Sequence, residues 1–281
     1  MARRIIIIPA ATSGYLAVTN AYLNSDAALS SLTTTKKDAI DRWFRDLNGY
    51  SNPSYTTYDV WSRVVVLYPF IGGTSTSLGK NAASPGTYDM THNGSPTFNA
   101  NSISYAGTAG AAQYSNTNFV CNGLTTLATS DFSGYAIHRM DTNADTNATV
   151  GALGGGNSYA YFNYASIGAL LFLTNGVQTH PGYPGNIYTP SNSFYAGYFS
   201  GAATARLNTN GSLFSTVSSV FAAGPSRAML IGAFNSGTIG YGGPTTPDFY
   251  MSVKGAWTSA EMIAVYTATK TLKAVLGVTW N

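Results

Sequence analysis

Beyond Trp61 the chain is cut into short runs of β-branched and aromatic residues. The interruptions are turn residues, among them four Asn-Gly pairs: Asn93-Gly94, Asn122-Gly123, Asn175-Gly176 and Asn210-Gly211. Asn-Gly suits the tight turn of an antiparallel hairpin, because both central residues of that turn take positive φ, which Asn and Gly adopt at least cost. Good strands flank the last two pairs, with 169–173 before the first and 205–207 and 213–217 around the second. Residues 63–70 (RVVVLYPF) read as a buried strand ending at Ile71-Gly72-Gly73, and 135–140, 159–164, 193–199, 229–234 and 249–256 read as further strands. About a dozen strands without interleaved helices specify a two-sheet sandwich rather than an α/β fold. A length of 281 residues accommodates it as one domain with a sizeable core.

Two helices bracket this region. Ile40, Trp43, Phe44 and Leu47 share one face of a helix expected over 36–47, with Thr35 placed to cap it, Asp38 three positions on, and Asn48-Gly49 as its left-handed stop. Trp43 and Phe44 fit the apolar stripe of that helix, which docks on the sandwich or on a neighbouring subunit. At the other end, Thr258 and Glu261 form a T-x-x-E capping box ahead of Met262, Val265, Tyr266 and Thr269, and the helix ends before Gly277. Glu261 is the only glutamate, and capping accounts for it. Residues 1–33 have no sustained period and read as an arm or anchor, 34–58 as a helical adaptor and linker, and 59–281 as the sandwich. Within the arm, Ile5, Ile6, Ile7 and Ile8 form a short strand with two readings: addition to the sheet edge of another subunit, or packing on its own domain.

Charged residues make up only 9% of the chain, so neutral hydroxyl and amide groups must solvate the surface. The net charge of +3 is spread over the chain, and no clustered basic patch is present to neutralise phosphates, which argues against a nucleic-acid partner. The single cysteine, Cys121, excludes an internal disulfide and any multi-cysteine metal site, and its apolar setting makes it a structural thiol. Arg3-Arg4 and the four isoleucines before Pro9 are too short for a signal-peptide core. No stretch approaches the roughly 20 apolar residues of a membrane span. The expectation is a protein without membrane insertion, assembled in a host cytoplasm and released by lysis.

Reactive groups are scarce. His92, His138 and His180 form no metal-ligand spacing, and no strand carries the paired carboxylates that glycoside hydrolysis needs. No catalytic residue is assigned and no enzyme is expected. Asp141, Asn143 and Asp145 carry oxygen donors resembling part of a calcium loop, but lack its glycine and terminal glutamate. A polar hairpin tip is the plainer reading; calcium is the one cofactor left in view. Residues 151–156 (GALGGG) lack the Lys-Ser/Thr of a phosphate loop and read as flexible. In the loop from Thr179 to Pro190, prolines hold Tyr183 and Tyr188, whose rings suit either stacking on sugars or subunit contact.

The order of these features, helix 36–49, Trp61, the Leu67 to Gly73 segment, the Arg206 to Val217 hairpin, Leu230 to Ala233, and Phe249 to Val265 closing on T-S-A-E, resembles concanavalin A-like, laminin-G-type jelly-roll domains of phage virion proteins. That resemblance implies an all-β jelly-roll sandwich in a virion component such as a head fibre, spike, decoration or tail-associated protein. It further implies other virion proteins as partners, a homo-oligomer, most often a trimer, and a role in holding host-surface glycans. The alternative is a carbohydrate-binding, lectin-like module.

Overall fold

The structure, a computed structural model, describes residues 14–49, 60–106, 113–120, 134–140, 148–154, 157–164, 169–174, 177–179, 192–201, 204–218, 227–235, 239–240 and 244–281. Helices α1 (Ala17–Asn24), α2 (Ala27–Ser30) and α3 (Thr34–Leu47) come first. Strand β1 (Val64–Tyr68), α4 (Ser75–Leu78) and the short strands β2 (Thr91–Asn93), β3 (Thr97–Asn99) and β4 (Ser102–Ser104) follow. Then come β5 (Tyr114–Val120), β6 (Gly134–Arg139), β7 (Ala148–Gly154), β8 (Asn157–Tyr164), β9 (Ala169–Thr174) and β10 (Val177–Thr179). The chain closes with β11 (Ser193–Gly201), β12 (Thr204–Thr209), β13 (Ser212–Ser218), β14 (Ala228–Ile231), β15 (Phe234–Asn235), β16 (Ile239–Gly240), β17 (Pro247–Val253) and α5 (Ser259–Val275).

The strands form the expected all-β jelly-roll sandwich. One sheet has six strands in the order β1-β17-β6-β11-β12-β13. The other has nine, running β10-β9-β8-β7-β14-β5-β2 with β15 and β16 beside β7. Hairpin pairing appears around the last two Asn-Gly pairs, whereas Asn93-Gly94 joins β2 to β3, which pair with β5 and β4 instead. β12 and β13 meet around Asn210 (φ 45°) and Gly211 (φ 77°), the two positive angles of the tight turn. β9 and β10 pair from Thr174 to Val177, although Asn175-Gly176 itself lies outside the described residues. Residues 151–154, read from sequence as flexible, belong to β7 and pair with β8.

The period-2 alternation of the six-stranded sheet sorts its side chains onto two buried faces. Tyr135 and Ile137 of β6, Tyr195 and Phe199 of β11 and Tyr250 of β17 point between the sheets, toward Met90, Phe119, Met229 and Ile231. Ala136, Phe194, Ala196, Phe249 and Met251 point the other way, into a second core closed by α3 and α5. The molecule therefore has three layers, helices on six strands on nine.

The helix layer begins earlier than the sequence implies. The stretch read as an arm contains α1 and α2, and Tyr22, Leu23 and Leu29 are buried in the helix-side core. α1 has no local cap. Asp41 of α3 supplies it, with Oδ1 accepting the Leu16 amide (2.8 Å) and the Thr19 hydroxyl (2.7 Å), and Oδ2 pairing with Arg45 Nε at 2.6 Å. Burial opposes the Asp41 charge, but the bonds from Thr19, Leu16 and Arg45 outweigh it and hold its pKa below the ordinary value. α3 starts after Thr33, not Thr35, and no side chain caps it; Asp38, now beyond the capping position, accepts the Tyr15 hydroxyl (2.9 Å). α5 has the expected box. Thr258 Oγ1 accepts the Glu261 amide, while Glu261 Oε2 accepts the Thr258 amide at 2.7 Å and Oε1 pairs with Arg63, whose guanidinium lies 4.5 Å from the Trp257 ring centre.

Candidate functional site

The most concentrated set of ionisable groups lies between the six-stranded sheet and α5. On β17, Pro247 pairs with Arg139 and Phe249 with His138, so Asp248 is the extra residue of a bulge. A bulge re-aims the side chain it inserts. Here the carboxylate turns onto His138 Nδ1 (2.5 Å) through Oδ1, and through Oδ2 it accepts Trp280 Nε1 (2.8 Å). Lys273 of α5 stands 3.7 Å from the same oxygen and donates to the carbonyls of Pro69 (2.7 Å) and Asn101 (3.3 Å). The Trp280 ring stacks on His138 at 4.0 Å and 8°. His138, Asp248 and Lys273 are all 0% exposed.

Burial alone would raise the Asp248 pKa, but Lys273, His138 and the Trp280 bond together hold it below its ordinary value. Burial pushes Lys273 down to about 8, and Asp248 opposes that fall. An ionised Asp248 accepts, so His138 donates from Nδ1, while its Nε2 meets no hydrogen-bond partner. A dyad of this kind is the usual orienting half of a nucleophilic site, but no substrate atom reaches a fully buried ring lidded by an indole. Its chemistry here is cohesion: four elements meet on one ion pair.

His92 shows the same economy. Nε2 meets the Ser75 carbonyl at 2.9 Å, so that nitrogen donates and Nδ1 accepts from Ser115 Oγ (2.6 Å), which in turn accepts from Tyr105 OH (2.5 Å). Burial lowers the His92 pKa, keeping the ring neutral, and the chain of bonds ends on a backbone carbonyl.

A third set faces outward. Asp89 accepts the amides of Asn81 (3.0 Å) and Gly86 (3.1 Å) through Oδ1 and pairs with Lys80 through Oδ2 (2.7 Å), which ties the 80–89 loop to itself. Tyr88 sits on this loop at φ 59°. A bulky residue in the left-handed region costs about 1–3 kcal/mol and persists only when its surroundings impose it. The Tyr88 carbonyl accepts Tyr68 OH (2.5 Å), its ring lies edge-on to Phe119 (5.4 Å, 69°), and the following carbonyl, that of Asp89, accepts Asn118 Nδ2 (2.6 Å). The ring remains 38% exposed.

Trp43 and Phe44, 1% and 0% exposed, present no surface to a second subunit; the packing reading describes them. Ile5, Ile6, Ile7, Ile8, Asp141, Asn143, Asp145, Tyr183, Tyr188, Cys121 and His180 lie outside the described residues. The chain leaves β6 after Arg139 and enters β11 at Ser193, and these two residues pair. No group of three or more metal-ligating side chains occurs among the described residues. Sequence reasoning missed Asp248, Lys273, Trp280 and Tyr88; only the Gly86-Thr87 turn ahead of Tyr88 hinted at an exposed position.

No family model matches the sequence, and no curated protein does. Solved structures match the fold. The binding domain of botulinum neurotoxin serotype D superposes with a TM-score of 0.52 at 8% identity, over 75% of this chain and 53% of that one. A mutant of Trypanosoma rangeli sialidase displaying trans-sialidase activity gives 0.53 at 11%, over 84% and 39%. A botulinum neurotoxin type C structure, whose cell entry depends on two ganglioside molecules, gives 0.51 at 10%, over 75% and 52%. The chain therefore spans about half of the neurotoxin chains and less of the sialidase. At these identities the likeness is one of fold.

Proposed function

We propose that this chain is a non-catalytic carbohydrate-recognition sandwich. The observation that carries this reading is the fate of its carboxylates. Of the seven carboxylates among the described residues, Asp46 has an interaction within the chain, Asp26 caps α2, Asp38 holds Tyr15, Asp41 caps α1, Asp89 ties its own loop, Asp248 joins β17 to α5, and Glu261 caps α5. Each spends its oxygens on internal partners, whereas glycoside hydrolysis needs two carboxyl groups facing a sugar. What the surface offers is neutral amides, hydroxyls and aromatic rings, the groups that bind sugars without cleaving them. The sandwich is also shared with a toxin binding domain, a sialidase and a ganglioside-dependent toxin, which supports a sugar as the partner class.

The test is to run the full chain through gels containing dextran, mannan, galactan or a bacterial O-antigen polysaccharide. Retardation in at least one gel, without release of reducing ends, is expected. Tyr183→Ala or Tyr188→Ala should weaken it about tenfold, the effect of losing one stacked ring. Free migration in every gel, or release of reducing ends, would overturn the reading.

A setting on a phage particle, as a fibre, spike, decoration or tail-associated protein in a homotrimer, is the finer reading we propose. The low charge, which keeps a surface soluble with little dependence on salt, and the order of sequence features support it. Copurification with virus particles at fixed stoichiometry and a trimeric mass in solution are expected; a monomer absent from particles would defeat it.

A further inference from the structure

We infer that Tyr88 is the stacking platform of a subsite for an uncharged pyranose ring. The inference rests on the carbohydrate reading above and names a site that reading lacks. Among the described residues, two bulky side chains hold positive φ, Phe70 at 48° and Tyr88 at 59°. Phe70 is fully buried, so core packing accounts for its backbone. Tyr88 is 38% exposed, and its strain serves to present a ring rather than to bury one.

The support beneath the ring is rigid. Tyr68, itself fully buried, holds the Tyr88 carbonyl, and Asn81 Nδ2 donates to the Thr87 carbonyl at 2.9 Å. Asn118, also at positive φ (56°), donates its side-chain Nδ2 to the Asp89 carbonyl and its backbone amide to Asn116 Oδ1 at 2.8 Å. A pre-positioned ring loses little freedom on binding, which favours affinity. The chemistry around it selects an uncharged ligand. The one ion pair of the loop, Lys80 with Asp89, is closed on itself, and the residues beside it are the amides Asn116 and Asn118. A partly exposed aromatic face beside a self-neutralised ion pair fits the apolar C–H face of a hexose.

The test compares Tyr88→Gly, Tyr88→Phe and the unaltered full chain in dextran, mannan, galactan and O-antigen gels, with thermal unfolding of each. Glycine adopts positive φ freely, which offsets part of the lost Phe119 contact, so Tyr88→Gly should still fold cooperatively while weakening retardation about tenfold. Tyr88→Phe keeps the ring and should stay within about twofold. A Tyr88→Gly chain that melts lower and binds as before would make Tyr88 a packing residue and overturn this inference, leaving the carbohydrate reading intact. Free migration of the unaltered chain in every gel would overturn both.

Discussion

Asp248→Asn is expected to lower the free energy of unfolding by about 3–5 kcal/mol near neutral pH, the usual cost of removing one member of a buried ion pair. The amide oxygen of asparagine can still accept from His138 Nδ1, but its NH2 group then faces Trp280 Nε1, donor against donor. Lys273 keeps the Pro69 and Asn101 carbonyls and loses its only anion in the cluster. The pH dependence has a definite sign. The pKa of Asp248 is depressed in the fold, so its contribution is present above the ordinary carboxylate range and lost as pH falls through the lowered value. Lys273 is depressed from 10.5 to about 8, so the fold buries an ammonium below about pH 8 and a neutral amine above it. The attraction lost in Asp248→Asn therefore matters most between the carboxylate range and about pH 8, and the deficit should narrow as pH rises further. Urea titrations of both proteins from pH 5 to about 10 would measure it. Adding Lys273→Met to Asp248→Asn removes the stranded cation and should recover part of the loss, which a double-mutant cycle reads directly. A deficit below about 1 kcal/mol and flat with pH would show that the pair contributes nothing to cohesion.

The contrast between what the sequence discloses and what it hides follows from how far apart the interacting residues lie. β12 and β13 were legible because their turn chemistry, Asn210-Gly211, is local, and α5 because Thr258 and Glu261 are three residues apart. α1 was not, since its cap comes from Asp41 on another helix, and a helix without a local cap or stripe leaves no periodic signature. The cluster around Asp248 joins β6, the β17 bulge, α5 and the chain's last residues. A bulge places a side chain against the alternation by which strands are read. His138 itself is core. Its pairing to a residue 110 positions away is a product of topology alone. Tyr88 was invisible for a different reason, because a tyrosine at positive φ contradicts the local preference from which turns are read. The binding candidates named from sequence, Tyr183 and Tyr188, rest on composition and lie outside the described residues.

Trp43→Ala is expected to cost about 3–5 kcal/mol, the range for truncating a buried tryptophan, out of a total that for most domains is about 5–15 kcal/mol. The indole is 1% exposed and lies where α3 crosses α5, and its Nε1 donates to Thr269 Oγ1 at 3.1 Å. Truncation removes the ring contact with Phe44 (5.1 Å), which is in turn edge-on to Trp61 (5.2 Å) and Tyr22 (6.0 Å). One cavity therefore loosens α1, α3 and the start of the sandwich together. Trp43→Phe fills most of the space but leaves the fully buried Thr269 hydroxyl without its donor, a smaller loss of about 1–3 kcal/mol. The form of the transition distinguishes two roles for the helix layer. Trp43 belongs to the same core as Phe194 and Phe249 of the six-stranded sheet, so helices and sandwich should unfold together. Tryptophan fluorescence and far-ultraviolet circular dichroism should then give coincident curves in urea for the parent and for Trp43→Ala, the latter shifted to lower denaturant. Separate transitions would mean that the helices are a detachable cap, and the six-stranded sheet would then have an apolar outer face able to exist uncovered. The depth to which Phe194, Phe249 and Met251 are buried beneath α5 argues for the single transition. The same burial covers both faces of the six-stranded sheet, one under helices and the other against the nine-stranded sheet, so the sugar site we propose lies off those two faces.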